Sequence, residues 1–466
     1  MATIQSFPAR VLLPVARGPV RVALAPLAWL LTAVDLVVRR PSLIVAGTVL
    51  LICLPSRISD VTASGHVTAA DLGAALVVAA LAVRLLGGAR SDARRGWLPF
   101  AAALTSFALA TVTASDVGAS VVGFVRYAEL FVLVPVAVAM SLVDRVDLLL
   151  VAGAIVVTTV FEGAVGVYQY ATHTGASYGG DYVRAVGTFG AEQVLALGAL
   201  IGYGLVVTLA LGLALRGRAR IALLAAAAFE VAALGLTLSR GAWIATVCAV
   251  AVLITIFSWR LAAAVTATAA LVVAVAVVTA VGDRSSGTVD ERLTSIVSSG
   301  SQPDRSVADR YALWRTAGGI WADHPVLGVG LKDFAAYRDS YAPMSLSAGS
   351  DVGQAGSGVS REPLLSAHNQ YLMVASEQGT VGVLAFGGLL ATLALGALRR
   401  RRTANPTTGE RMLDLAAPAI MVWTLIDFGY GDIGAGPTSV LLAIVLGLVA
   451  RRSMIIPSGR VAGGTS

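Results

Sequence analysis

The sequence predicts an all-α integral membrane protein of about 12 transmembrane helices with one large extracytoplasmic loop containing short helices. Three observations carry this. Hydrophobic residues make up 57% of the 466 residues and charged ones only 13%, with a mean hydropathy of +0.80, a balance foreign to soluble globules. Apolar runs close to the ~20 residues that cross a bilayer recur along the chain. Arginine clusters fall at every second boundary between those runs, as the positive-inside rule requires of a multi-pass protein.

In order, the apolar spans are 42–58, 69–86, 97–113, 118–141, 147–169, 189–215, 221–238, 241–258, 261–281, 367–397, 413–428 and 437–450. Residues 1–41 are read as a cytoplasmic N-terminal segment in which Pro19 to Val38, interrupted by Arg21, Pro26 and Asp35, suits an interfacial amphipathic helix, the alternative being a further span that would invert the rest of the topology. No cleavage site follows a short apolar region there, so no removable signal peptide is expected. Residues 42–281 then hold transmembrane helices 1–9, residues 282–366 the extracytoplasmic loop, residues 367–452 helices 10–12 and residues 453–466 a cytoplasmic tail. This arrangement puts Arg39 and Arg40, Arg84 to Arg95, Arg145, Arg216 to Arg220, Arg260, Arg399 to Arg402 and Arg451 with Arg452 on the cytoplasmic side. The net charge of +7 is therefore spread as topology signals rather than gathered on one face, and no nucleic-acid partner is expected. Cys53 and Cys248, the two cysteines, lie inside apolar runs without metal or framework spacing and read as packing residues.

Four stretches fall outside the cytoplasm: the loop with His66, Ala171 to Thr188, the turn at Arg240, and Gly282 to Leu365. In the last, Ser306 to Asp309 has the spacing of an N-terminal cap, and Tyr311, Trp314, Ala317, Ile320 and Trp321 recur at three and four residues. That predicts a helix with one aromatic face, ending near His324-Pro325. Gly328 and Gly330 mark a turn, Leu331 to Tyr341 a second short helix, and the Gly-Ser-rich stretch from Ser345 to Ser360 a flexible flap. Where the chain re-enters the membrane, Ser366 reads as a cap, which puts His368 in the first turn of the tenth span. The positive end of a helix dipole disfavours an imidazolium, so His368 is expected to stay neutral and able to act as a general base. The plainer alternative is a histidine that only hydrogen-bonds the loop.

Arg240, in Thr237-Leu-Ser-Arg-Gly-Ala-Trp-Ile-Ala245, sits between two apolar runs. A charge in that position is a site candidate, with snorkelling to the water boundary as the alternative. Arg310 and Arg315 lie on the loop helix and Arg184 lies near a span start. Two converging guanidinium groups suit a phosphate or pyrophosphate, which they bind by paired, charge-assisted hydrogen bonds. Inside the spans, Arg126 and Glu129 stand one helical turn apart and read as an ion pair, and Glu162 and Asp427 as polarity near the external end.

Together, Thr237 to Ala245, Asp309 to Phe334 (with Trp314, His324-Pro325 and Gly328-Val-Gly330) and Ser366 to Val383 (with His368-Asn369 and Glu377-Gln-Gly379) resemble the O-antigen ligase and polymerase superfamily. The resemblance runs from about Arg184 to Val383. It implies a multi-pass enzyme of the bacterial inner membrane that moves a glycan from a polyprenyl-diphosphate carrier to a sugar hydroxyl on a glycan or glycolipid acceptor. It implies no metal and no cofactor, and partners limited to donor, acceptor and lipid bilayer. Carried over by position, His368 is the base and Arg240, Arg310 and, less closely matched, Arg184 bind the donor diphosphate. Ser239, Asn369 and Trp314 support them. Many relatives have an asparagine-rich segment where this chain has Ala191-Glu-Gln193. The competing class is a membrane transporter of a small solute or glycolipid, for which inverted repeats would be the sequence mark; no such repeat is evident.

Overall fold

An apolar segment surrounded by lipid must pair every backbone N–H and C=O within itself, which makes helix the default for this chain. The computed structural model describes residues 40–54, 59–62, 65–86, 96–178, 181–268, 271, 305–344, 346, 350–354, 361–362, 364–399, 405–433 and 436–453. The interfacial helix expected at 19–38, the end of the ninth span, most of the flap at 345–360 and the tail after 453 lie outside the described residues. From Pro41 onward the described residues form one compact unit.

Its described elements are α1 (Ser42–Leu51), β1 (Ser59–Thr62), β2 (Gly65–Val67), α2 (Ala69–Leu86), α3 (Leu98–Val112) and α4 (Val117–Ser141). There follow α5 (Arg145–Thr172), β3 (Ala176–Tyr178), β4 (Asp181–Arg184), α6 (Ala196–Ala214), α7 (Arg218–Leu236) and α8 (Arg240–Phe257). The last group is α9 (Arg305–Asp323), α10 (Phe334–Tyr341), β5 (Ser350–Gln354), β6 (Arg361–Glu362), α11 (Gln370–Leu398), α12 (Thr408–Asp427) and α13 (Pro437–Ser453). Seven of these helices, α2, α4, α5, α6, α7, α8 and α11, are long and apolar enough to cross a membrane, and α1 and α3 are shorter apolar helices. The protein is a mostly helical, multi-pass membrane protein.

Two expectations change. The extramembrane segments are not purely helical: β4, β3, β5 and β6 form one antiparallel four-stranded sheet in that order. It pairs the chain just before Arg184 with the chain leading to His368, a pairing between distant segments that local spacing does not reveal. The loop helix α9 begins at Arg305, so Ser306 lies inside it and is not its cap. Its end at Asp323 and the positive φ of Gly328 and Gly330 match the expected stop and turn.

Lipid supplies no hydrophobic drive between helices, so they associate by close packing at small residues. Gly202 of α6 leaves room for the fully buried Trp423 of α12; a Cβ there would stand 2.4 Å from the indole Nε1. That nitrogen donates to Thr246 Oγ1 of α8 at 2.9 Å, and the ring packs against Tyr203 with centroids 4.2 Å apart. One indole thus joins α6, α8 and α12. A second centre gathers Phe107, Tyr127, Phe131, Phe386 and Phe428 from α3, α4, α11 and the end of α12. The Arg126–Glu129 pair forms at 3.0 Å and includes Asp71 of α2 at 2.6 Å, so it ties α2 to α4.

The helix α11 is broken. At Gly379 the backbone turns to φ 63, ψ −163, which frees carbonyls on one side and N–H groups on the other. The loop segment 325–330 fills both sets: Val329 N donates to Ser376 O (3.0 Å) and Gly330 N to Glu377 O (2.9 Å), while Thr380 N reaches Pro325 O (2.8 Å) and Val381 N reaches Val326 O (3.2 Å). A Cβ on Gly328 would lie 2.4 Å from the Glu377 carbonyl carbon. The two glycines therefore let a loop and a helix share backbone hydrogen bonds.

A side chain at Gly379 would meet Val326 O at 2.3 Å and force a backbone conformation that costs an L-residue about 1–3 kcal/mol. Gly379→Ala is expected to lower the melting temperature of the detergent-purified protein by several degrees. Gly387→Ala, in the same helix with nothing within 4 Å, is expected to leave it unchanged or raise it; equal effects of the two substitutions would refute this account of the break.

Candidate functional site

His368 lies one residue before the cap of α11, not in its first turn as the sequence suggested. Asn369 is the cap: its Oδ1 accepts from Leu372 N at 3.1 Å and its Nδ2 donates to Gly429 O at 2.9 Å. Ser366, expected to cap, instead donates its hydroxyl to Asp432 and accepts from His368 N at 3.1 Å. Gln370 N donates to Phe428 O (2.8 Å) and Gly431 O (2.9 Å), its Nε2 to the Tyr127 hydroxyl (2.9 Å), and its Oε1 accepts from Ile433 N (3.1 Å). Residues 366–370 are thereby laced to the turn 428–433 that follows α12. The lacing holds His368 at φ 46, a left-handed conformation that costs a non-glycine residue on the order of 1–2 kcal/mol.

The neutral imidazole expected at this position is favoured, though chiefly by another cause. Burial pushes the His368 pKa below its ordinary value, the nearby Arg310 charge adds to that, and the Asp432 carboxylate opposes it.

Arg184 ends β4, so the four-stranded sheet delivers it to the bundle. Arg310 stands in the second turn of α9. Burial lowers the pKa of both, and the Arg310 charge lowers that of Arg184 further, while Tyr430 and Asp432 act on Arg310 in the other direction. Among the described residues no carboxylate closes an ion pair with either guanidinium. Two half-buried, like-charged groups held near each other in this way attract an anion between them.

Arg240 opens α8, and its neighbour Gly241 packs on the Tyr430 ring, where a Cβ would come within 2.1 Å of Cε2. Tyr430 thus links the start of α8 to Arg310. Arg240 itself is exposed, at the rim formed by the start of α8. The charge of Arg310 acts on both Arg184 and His368, which brings those three together. Ser239 is buried, with its Cβ near Gly198 of α6, and makes no side-chain cap bond. Trp314 shares the α9 face of Arg310, packs edge-on against Tyr311 with centroids 5.4 Å apart, and leaves its buried indole N–H without a partner.

Sequence reasoning missed Tyr430 and Asp432. The signal was present: Asp427-Phe-Gly-Tyr-Gly-Asp432 is a polar, glycine-rich turn between two apolar runs, on the same end of the bundle as His368. Burial raises the Tyr430 pKa, Asp427 raises it further, and Arg310 pulls it back. The Tyr430 hydroxyl lies beside Asp427, but its geometry falls short of a hydrogen bond. Asp427 was singled out on charge alone, and its place beside Tyr430 adds it to this wall. Among the described residues, no group of three or more His, Cys, Asp and Glu side chains is arranged to hold a metal ion.

No curated protein matches the chain. A family model described as O-antigen ligase matches residues 221–387, from the first turn of α7 to the middle of α11 and across Arg240, Arg310 and His368. Over that stretch, which is less than half of the chain, the sequence is similar to the O-antigen ligase family.

Proposed function

We propose that this protein transfers an oligo- or polysaccharide from a polyprenyl-diphosphate donor to a sugar hydroxyl of a glycan or glycolipid acceptor, at the extracytoplasmic face of a bacterial inner membrane. The observation that supports it best is the convergence on a half-buried histidine, His368, of two arginines, Arg184 and Arg310, with which no carboxylate among the described residues closes an ion pair. The reading takes about 12 spans with 282–366 as the extracytoplasmic loop, which puts the site at the outer membrane boundary with cytoplasmic segments at 1–41 and 453–466.

In this reaction His368 takes the proton of the acceptor hydroxyl as the oxygen forms a bond to the anomeric carbon of the donor. The bond from that carbon to the diphosphate breaks, and the leaving diphosphate keeps the electron pair. Arg184 and Arg310 stabilise the charge that grows on it, and Arg240 at the rim binds the same diphosphate as the donor enters between α8 and the loop. Displacement in one step inverts the anomeric centre. Trp314 offers its free indole N–H beside Arg310, Asn369 caps α11, and Ser239 packs the start of α8 against Gly198 of α6.

His368→Ala is expected to reduce transfer by about 10²- to 10⁴-fold, the value of a positioned general base, while donor binding persists. Transfer from a lipid-diphosphate glycan in proteoliposomes, beside donor binding to the same preparations, measures this. Normal transfer by the variant would eliminate His368 as the base, and solute flux without any transfer by the wild type would eliminate the enzyme reading.

The pH profile carries a second expectation. Only neutral His368 accepts the proton, so kcat/KM falls as pH drops through its depressed pKa, which sets the acid limb below the ordinary histidine value of about 6.5. Asp432→Asn removes the carboxylate that opposes the depression and is expected to move that limb to lower pH. A limb that moves upward contradicts the assignment.

A further inference from the structure

Glu162 and Gln169 stand seven residues apart on one face of α5, and both reach the same short turn. Glu162, fully buried, accepts from Thr188 N through Oε2 at 2.9 Å and from Thr188 Oγ1 through Oε1 at 2.7 Å. Gln169 accepts from Val186 N at 3.0 Å and Gly187 N at 2.9 Å, and donates to Gly187 O at 2.8 Å. Gly187 adopts φ 65, and a Cβ there would stand 2.4 Å from Glu162 Oε2, so only glycine lets the turn close on the carboxylate. Ala185 N completes the set by donating to Leu236 O, at the end of α7, at 3.1 Å.

Arg184 is the residue that enters this turn. Burying a carboxylate within a helix bundle is costly, and apolar contacts would hold an ordinary connection more cheaply. Arg184, however, faces the like charge of Arg310, and without a bound anion the two repel. A turn held by six polar bonds resists that repulsion and keeps the two guanidinium groups at the spacing an anion needs before it arrives. We infer that Glu162 and Gln169 are positioning residues for donor-diphosphate binding, which they serve by holding the turn Ala185 to Thr188 and through it Arg184. The inference rests on the donor-binding role proposed for Arg184.

The test compares donor KM, kcat and melting temperature for wild type, Arg184→Ala, Glu162→Leu, Glu162→Gln and Gln169→Leu, and for Arg184→Ala combined with each leucine variant. Hydrogen exchange of amides 185–188 is followed alongside. Glu162→Leu and Gln169→Leu are expected to raise donor KM roughly 10- to 100-fold, the scale of supporting hydrogen bonds, with kcat little changed and exchange of the turn accelerated. Glu162→Gln, which retains an acceptor, restores most of the loss. The combined variants are no worse than Arg184→Ala alone, because a positioning residue has nothing further to lose once its client is gone. If Glu162→Leu does not fold, Thr188→Val removes the same hydroxyl bond from the loop side.

The inference is overturned if Arg184→Ala raises donor KM while the leucine variants do not, if the losses multiply in the combined variants, or if exchange of the turn is unchanged. A normal donor KM in Arg184→Ala overturns the donor-binding role of Arg184 itself; accelerated exchange in the leucine variants would then leave the turn explained as structure alone.

Discussion

The break at Gly379 is the constraint on which the rest of the site depends. A helix interrupted within a lipid-facing bundle exposes carbonyls and N–H groups that water cannot reach, and each must find a protein partner. Here the partner is the loop segment Pro325 to Gly330, bonded to both halves of α11. The long loop is consequently part of the bundle's backbone hydrogen-bond system rather than an appendage. It carries α9 with it, and the buried cluster of Leu313, Ala317, Ile320, Val329 and Phe334 sets the rotation that turns Arg310 toward Asp432. Asp333, just past the turn, accepts from Ser115 N and Oγ, both at 2.6 Å, and pins the loop to the α3–α4 connection as well.

The second support is the lacing of residues 366–370 to the turn 428–433. It makes the end of α12 and the start of α11 one unit, so that His368, Tyr430 and Asp432 keep fixed relations. The strained backbone of His368 persists because bonds on both sides determine it more tightly than its own preference does. The groups that meet here carry opposing demands. Burial and Arg310 hold His368 neutral, Asp432 restrains that effect, and the two arginines favour an anion that the protein's described carboxylates do not supply. Such an arrangement suits a charge that develops on a ligand, as the proposed transfer requires.

Polar groups elsewhere in the bundle tie one helix to another. Arg126 joins α2 to α4 through Asp71 and Glu129, Thr208 donates to Glu230 between α6 and α7 at 2.9 Å, and Ser42 donates to Asp147 between α1 and α5 at 2.6 Å. In a medium where apolar contacts do not distinguish one neighbour from another, these bonds and the glycine contacts at Gly202 and Gly204 select which faces meet.

The sequence by itself determined the local elements. The hydropathy runs foretold almost every described helix within a few residues, because lipid leaves an apolar segment no alternative to helix. The glycine turn at 328–330, the stop of α9 before Pro325 and the Arg126–Glu129 pair were legible for the same reason: each depends on residues close in the chain. The motifs around His368 and Arg310 lie in two segments that the structure brings together. Only the tertiary structure decided what required distant partners. Asn369 rather than Ser366 caps α11 because Gly429 and Asp432, some 60 residues on, compete for their side chains. The sheet joining β3 to β5 relates segments more than 170 residues apart. Asp432, Tyr430 and the Glu162–Gln169 support of Arg184 stayed hidden because a polar residue at a helix end looks alike in sequence whether it faces water, a partner or a ligand. Backbone pairing across the Gly379 break, not local preference, made that choice.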